Sequence, residues 1–352
     1  MAVKRKRKQK PTINDVAQLA GVSKKTVSRV INRSPLLNQA TRERVEAAIA
    51  KLGYVPNPQA RALALRRNFL IGLIHDNPNA QMVLNFQQGV LKAIRDTEFA
   101  LVVRPVERKS PRLLQDVRAF IETQRPYGVL ILPPLSENDA IAELCRELDC
   151  NYVRMGSARL DEEAHLVESN DRQAVRQAIT HLAELGHTRI GFVTGPTGFR
   201  SAAEREAGYD EAVRENKLDR RSGLKAVGNY TFESGLEAGR RLLEANSPPT
   251  AVFASNDVMA AGVLHAARER GVDVPRELSI VGFDDTAIAA HIWPPLTTVR
   301  WPIAEMAYSA AMKLIRPERI DDAQSLFLSE LIKRASVAPV TVRPRSQRKT
   351  KA

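Results

Sequence analysis

The sequence predicts an all-α helix-turn-helix head joined to an α/β body of two doubly wound parallel-sheet lobes. Three observations carry this. Residues 12–53 fit three short amphipathic helices separated by a glycine turn and a loop containing Ser34-Pro35. From residue 69 onward, apolar strand-sized runs alternate with helical stretches. The whole formal net charge of +13 resides in residues 1–67, which hold 16 Lys and Arg against 3 Asp and Glu. A length of 352 residues fits two or three domains at roughly 150 residues each.

Residues 1–10 are too polar to pack, so a disordered basic arm is expected over 1–11. Thr12 and Asp15 form a capping-box-like start, and Val16, Leu19 and Ala20 recur at helical spacing. Gly21 stops that helix, because glycine tolerates the left-handed conformation at a helix end. Ser23 can cap a second helix over 24–32 with Val27, Val30 and Ile31 on its buried face. A third helix follows Asn38, with Val45, Ala48, Ile49 and Leu52 inward and Gly53 ending it. The second helix exposes Lys24, Lys25, Ser28, Arg29 and Asn32, a face of hydrogen-bond donors without a single acid. A merely solvated helix face would mix charge signs, so a polyanion partner is the better reading.

In the body, strands are expected at 69–74, 100–103, 128–132, 152–155, 190–194, 251–254 and 279–283. Helices are expected at 83–95, 111–124, 137–148, 171–185, 201–216, 232–245, 257–270 and 302–316. Strict β-α alternation implies parallel sheets covered by helices on both faces. So many strands favour two lobes, with breaks near 168–171, 292–295 and about 325–333, and a cleft between them suited to a small ligand. The divisions expected are therefore a head over 12–56, a linker over 57–67, a body over 68–334 and a basic tail over 335–352.

Several classes are excluded. No apolar run approaches the ~20 residues of a membrane span, and no apolar stretch follows the basic N-terminus as in a secretory signal. Cys145 and Cys150 are too few and too close for a disulfide framework or a four-ligand zinc site. There is no G-x-x-x-x-G-K-[ST], and Gly195-Pro196-Thr197-Gly198 is too short for a dinucleotide fingerprint. The six histidines show no metal-ligand spacing. A cytoplasmic, nucleoid-associated protein with no cofactor, no metal and no enzymatic activity is expected.

The string Thr12-Ile13-Asn14-Asp15-Val16-Ala17, followed by Ala20-Gly21-Val22-Ser23 and Thr26-Val27-Ser28-Arg29-Val30-Ile31-Asn32, resembles the lactose-repressor (LacI/GalR) family. The resemblance continues through Thr41-Arg42-Glu43-Arg44-Val45 and Leu52-Gly53-Tyr54-Val55-Pro56-Asn57. In the body it covers Leu185-Gly186-His187, Ser255-Asn256-Asp257, Val281-Gly282-Phe283-Asp284-Asp285 and Pro294-Pro295-Leu296-Thr297-Thr298-Val299.

The resemblance implies a periplasmic-binding-protein-like body and a second helix lying in the DNA major groove. Lys24, Lys25 and Arg29 would then reach base edges, where Lys and Arg suit the O6/N7 acceptors of guanine. Thr12, Ser23 and Asn32 are carried over as further DNA contacts, those of Ser23 and Asn32 to phosphates, which fix register without reading sequence. The segment 58–67 is similar to the family's hinge helix, with Leu63 as a minor-groove wedge and Arg61 as a groove or phosphate contact. In the cleft, Arg205 matches the family's effector-binding arginine, Asn256 and Asp284 two further polar ligands, and Tyr230 the stacking aromatic. Asp76, in the loop after the first strand, adds a hydroxyl acceptor. Arg154 stands where sugar-binding members often carry an acid, so two arginines would also suit a phosphorylated or acidic sugar.

The function these readings support is a transcriptional regulator, a repressor by resemblance, controlled by a sugar or sugar derivative. It would act as a homodimer on a near-palindromic double-stranded operator, since the tail lacks the leucine heptads that tether tetramers. The other class with the same body is a solute-binding protein of the periplasmic sugar-binding type, against which the basic head counts.

Overall fold

The computed structural model describes residues 11–31, 37–55, 68–77, 79–220, 223–316 and 324–340. The expected basic arm through residue 10, the hinge segment 57–67 and the tail from 341 fall outside the described residues. The chain forms two compact units, one up to Phe69 and one from Leu70 onward.

The first unit contains α1 (Ile13–Ala20), α2 (Lys24–Ile31) and α3 (Gln39–Leu52). Asp15 accepts hydrogen bonds from the Thr12 N–H at 2.7 Å and the Thr12 hydroxyl at 2.8 Å, which fixes the start of α1. Gly21 ends it at φ 62, where a side chain would be strained, and Gly53 ends α3 at φ 60. The Ser23 hydroxyl accepts the Thr26 N–H at 3.1 Å and so caps α2. Val16, Val27 and Val45, one from each helix, are fully buried at the centre of the small core, with Ala17, Ala20, Val30 and Ala48 around them.

The second unit holds two six-stranded sheets. The first has the order β11-β5-β4-β3-β1-β2, from β1 (Leu70–His75), β2 (Ala100–Pro105), β3 (Gly128–Ile131), β4 (Asn151–Gly156), β5 (Leu166–Ser169) and β11 (Leu326–Phe327). The second has the order β12-β10-β9-β8-β6-β7, from β6 (Ile190–Thr194), β7 (Lys225–Val227), β8 (Ala251–Ala254), β9 (Ser279–Asp284), β10 (Thr297–Arg300) and β12 (Glu330–Ile332). All pairings are parallel except that of β12, which runs antiparallel to β10 at one edge. The helices that matter here are α4 (Ala80–Ile94), α6 (Asp139–Glu147), α7 (Asp171–Glu184), α8 (Arg200–Glu215), α10 (Asp257–Glu269) and α12 (Ile303–Ile315).

The chain passes from the first lobe to the second between β5 and α7, at 169–171. It returns between β10 and α12, at 300–303, and not near 292–295 as the sequence suggested. The reason is that Thr297–Arg300, polar at three of four positions, still adds a strand to the second sheet. The last passage lies between β11 and β12. The body also continues past residue 334. The Val340 N–H donates to Leu185 at 3.0 Å, and the buried imidazole of His187 lies 3.0 Å from the Ala338 carbonyl and 2.9 Å from the Thr250 hydroxyl. Both sheets reverse strand order beside their first strand, β1 in one and β6 in the other. Loops leaving the carboxyl ends of strands at such a reversal diverge and leave a crevice, where open parallel sheets bind ligands.

Candidate functional site

On the head, Lys24, Lys25 and Arg29 are exposed on α2, while Val27 and Val30 are buried on its opposite face. At about 100° per residue the three basic side chains span an arc of about 140°. Thr12 and Ser23 are exposed at the starts of their helices. Asn32, Arg61 and Leu63 lie outside the described residues.

In the body, a cavity of about 180 Å³ lies where loops from the carboxyl ends of both sheets meet. That is room for roughly six waters at about 30 Å³ each, the size of one sugar ring. The first lobe lines it with Asp76, Asn77 and Asn79 after β1, Arg108 after β2, Pro133 and Pro134 after β3, and Ser157 after β4. The second lobe contributes Phe199, Ser201 and Arg205 from the start of α8, and Asn229 and Tyr230 after β7. Asn256 after β8 and Asp284 at the end of β9 complete that side. Trp301, on the return passage, also lines it.

Arg205 is 5% exposed and held from three sides. Its Nε donates to Asp171 at 2.8 Å, Nη1 donates to the Ser255 carbonyl, and the guanidinium lies 3.6 Å from the Phe283 ring centre. Asp171 in turn accepts from the Ser169 hydroxyl at 2.7 Å, and Ser169 accepts from the Trp301 indole at 2.8 Å. Burial opposes the guanidinium charge, but the attraction of Asp171, with Tyr230 and Asp284, keeps its pKa above the ordinary arginine value. A cation fixed in this way presents Nη2 at low entropic cost.

Asp284 is buried, and its Oδ1 has no hydrogen-bond partner although Arg205 Nη2 lies 3.9 Å away. Burial pushes its pKa well up, and Arg205 offsets this only in part. Asp284 and Asp285 both adopt positive φ, 107 and 54. This strained pair is held by Asp257, which accepts the Thr286 N–H at 2.7 Å and the Thr298 hydroxyl at 2.5 Å. Burial raises Asp257 itself to about 6, against those hydrogen bonds. Asp285 is tied to Arg334 at 2.6 Å and Arg300 at 3.0 Å.

Tyr230, at φ 68, has its carbonyl fixed by Asn256 Nδ2 at 3.1 Å, while Asn256 Oδ1 accepts the Met259 N–H at 2.8 Å and caps α10. Asn256 is thus largely committed to positioning Tyr230. Asp76 pairs loosely with Arg108 at 3.4 Å, and burial raises its pKa.

Arg154 does not line the cavity, contrary to expectation. Its guanidinium is 2% exposed and donates to the Ser136 carbonyl at 2.6 Å, the Leu160 carbonyl at 2.9 Å and Asp139 at 2.7 Å. An arginine so surrounded by acceptors has little left for a ligand. It serves instead to aim Asp139, which also accepts from Arg200 of the second lobe at 2.9 Å. Beside it, Glu137 accepts the backbone N–H groups of Arg200 and Ser201 at 2.7 and 3.0 Å, capping α8 from the opposite lobe.

Sequence reasoning missed Arg108, Phe199 and Ser201, and saw Asp171 only as a lobe boundary. Val106-Glu107-Arg108-Lys109 reads as an ordinary charged turn, and nothing local distinguishes it. Cys145 and Cys150 are buried thiols away from the cavity.

Comparison with known proteins adds the following. Residues 12–57 match the family described as bacterial regulatory proteins, lacI family, and residues 179–337 match a periplasmic binding protein-like domain. The chain is 32% identical over 304 residues to the ribose operon repressor of Escherichia coli (strain K12), covering 86% of this chain and 92% of that protein. Among solved structures, the transcriptional regulator CelR–cellobiose complex superposes with a TM-score of 0.68 at 32% identity, covering 93% of this chain and 99% of that one. The lac repressor dimer bound to operator and the anti-inducer ONPF gives 0.77 at 28% identity, covering 94% and 100%.

Proposed function

The chain belongs to the lacI family of bacterial regulatory proteins, and from that premise we propose that it represses transcription as a homodimer released from its operator, or recruited to it, by a sugar. It is a DNA-binding transcriptional regulator and not an enzyme. The observation that carries the effector reading is the buried Arg205 beside Asp284, whose Oδ1 has no partner, in a cavity the size of one sugar ring. A fixed donor next to a lone acceptor suits the hydroxyls of a sugar, and Tyr230 supplies an aromatic surface for its C–H face. CelR is described in complex with cellobiose, also a neutral sugar.

Our reading assigns residues 12–56 to DNA binding, 57–67 to a hinge and the rest of the body to effector binding and dimerisation. Lys24, Lys25 and Arg29 read bases; Thr12, Ser23, Asn32 and Arg61 contact the backbone or groove; and Leu63 is the minor-groove wedge. The second helix face supports this reading because every charged residue on it is basic. The dimer is supported by Leu84 and Leu91, exposed one heptad apart on α4, with Tyr308 exposed on α12. Among the described residues no helix is long and apolar enough to cross a membrane, and we place the protein on the chromosome. The solute-binding alternative has no use for the helical head and is not favoured.

The test is selection of random duplexes by the purified protein at ~150 mM salt, where non-specific binding is weak. A two-fold symmetric site with G·C-bearing arms is expected. The recovered duplex then serves to screen neutral sugars for a change in affinity. Recovery of no common sequence with or without a metabolite extract would overturn the proposal.

A further inference from the structure

Resting on the reading above that places an effector at Arg205, we infer that Ser169-Asn170-Asp171, the first passage between the lobes, is the joint that turns effector binding into a change of lobe angle. Ser169 and Trp301 are its positioning residues.

Three successive residues of this one passage each bond a different part of the molecule. The Ser169 hydroxyl accepts the indole N–H of Trp301, on the second passage, at 2.8 Å. Asn170 ties to the third passage: its Oδ1 accepts the Ser329 N–H at 2.7 Å, and its own N–H donates to the Phe327 carbonyl at 3.2 Å. Asp171 accepts from Arg205 Nε at 2.8 Å. All three lengths of chain that join the lobes are thus bonded together, and to the arginine of the cavity, within three residues. A rotation of one lobe against the other turns about these passages and must rearrange this set of bonds.

The Ser169 hydroxyl is the part with two positions. It has one proton to give and two acceptors in reach. It donates to Asp171 Oδ1 at 2.7 Å, while the Gly156 carbonyl at the end of β4 lies 3.4 Å away. The first position ties the passage to the second lobe through Asp171, and the other ties it to the first lobe through Gly156. An effector that engages Arg205 changes the pull on Asp171, and so decides which acceptor Ser169 serves. Ser169, Asp171 and Trp301 are all buried, so a bond lost here is either replaced by another protein bond or left unmade at a cost. Trp301 does not follow the movement, because its ring packs edge-on against Phe86 of α4 in the first lobe, with centres 5.9 Å apart and planes at 86°. It is the fixed point against which Ser169 is set. A discrete two-position element that both sites bias is what coupling between distant sites requires.

The experiment compares the full-length wild type with Ser169→Ala and Asn170→Ala, because neither residue lines the cavity. Operator affinity is read by anisotropy on the duplex recovered by selection, with and without D-ribose, D-glucose, D-galactose or cellobiose. Calorimetry gives the affinity of each sugar for the operator-free protein. In the wild type one of these sugars should change operator affinity by about 5–150-fold. In each variant that factor should fall by at least about threefold, while sugar affinity of the operator-free protein changes less than the factor does. Ser169→Thr, which keeps the hydroxyl, should restore much of the response. Trp301→Phe, which keeps the ring on Phe86 but lacks the N–H, should lower the factor alone and add nothing to Ser169→Ala, since both remove the same bond. Asn170→Ala cuts only the tie to the third passage and carries the test if Ser169→Ala fails to fold. An undiminished factor in the variants that fold, or one that falls only as far as sugar affinity falls, would overturn the role of this joint and leave the effector reading intact. Binding of none of the four sugars to the wild type would overturn the sugar reading itself, and this inference with it.

Discussion

Asp139 of the first lobe accepts one hydrogen bond from the buried Arg154 at 2.7 Å and another from Arg200, the first residue of the helix that carries Arg205, at 2.9 Å. The Arg154 hydrogen bond holds the Asp139 carboxyl below its usual pKa, so it stays charged and keeps both partners across the neutral range. With Glu137 on the N-terminus of the same helix, it links the lobes at one margin of the cavity.

Glu137→Ala removes the acceptor of two N–H groups at the start of α8 without touching the cavity wall. Effector affinity should fall about threefold to tenfold, since bonds to a charged group at a partly solvated site are worth a few kcal/mol at most. Calorimetric titration with the sugar found by screening measures it. An unchanged affinity would show that the link does not bias the lobes.

Arg205→Lys should abolish the response of the operator complex to effector and lower stability. A lysine cannot donate at once to Asp171, to the Ser255 carbonyl and to a ligand, and it leaves buried Asp171 poorly compensated. Pairing the change with Asp171→Asn should restore part of the melting temperature but none of the response. A double variant that responds would remove Arg205 from the site.

Arg29→Ala should cost about 1–3 kcal/mol of operator affinity and relax the preference at one base pair of each half-site. A lysine that touches only phosphate would instead lower the salt dependence of binding with little change in preference. Anisotropy titrations on the selected duplex and its single-base variants, at several salt concentrations, separate the two for Lys24, Lys25 and Arg29.

The pKa of Asp257, raised by burial to about 6 from 3.8, makes a signed contribution to stability. Between those values the folded state holds a proton that the unfolded chain releases, so stability from this group falls as pH rises from about 4 to about 6 and is level above that. Asp257→Asn should remove this slope. The difference in melting temperature between wild type and variant, followed from pH 4 to 7, isolates it from other carboxyls. A difference that does not change with pH would contradict the assignment.

Much of the architecture was legible because it is written in local periodicity. The glycine at 21, the apolar spacing of α2 and the uninterrupted runs of β3, β6 and β8 each depend on residues within one turn or one strand. The strands that went unseen are those at sheet edges or with polar content. β7 begins with Lys225, β10 is led by Thr297 and Thr298, and β11 has two residues. Their strand character comes from the neighbour they pair with, which composition does not display.

The sequence by itself determined the alternation of elements and the basic helix face, and its resemblance to a known family singled out Arg205, Asn256 and Asp284. The first two are a matter of residue type and spacing along the chain. The tertiary structure alone decided which charges are spent and which are free. Arg154 was drawn out of the cavity by Ser136, Leu160 and Asp139, and Arg108 was brought into it beside Asp76 and over Phe199. The Trp301–Ser169 bond that buttresses Asp171 joins residues 132 apart in the chain. Whether a buried arginine binds a ligand depends on how many acceptors already surround it, and those acceptors arrive from distant segments that only folding brings together.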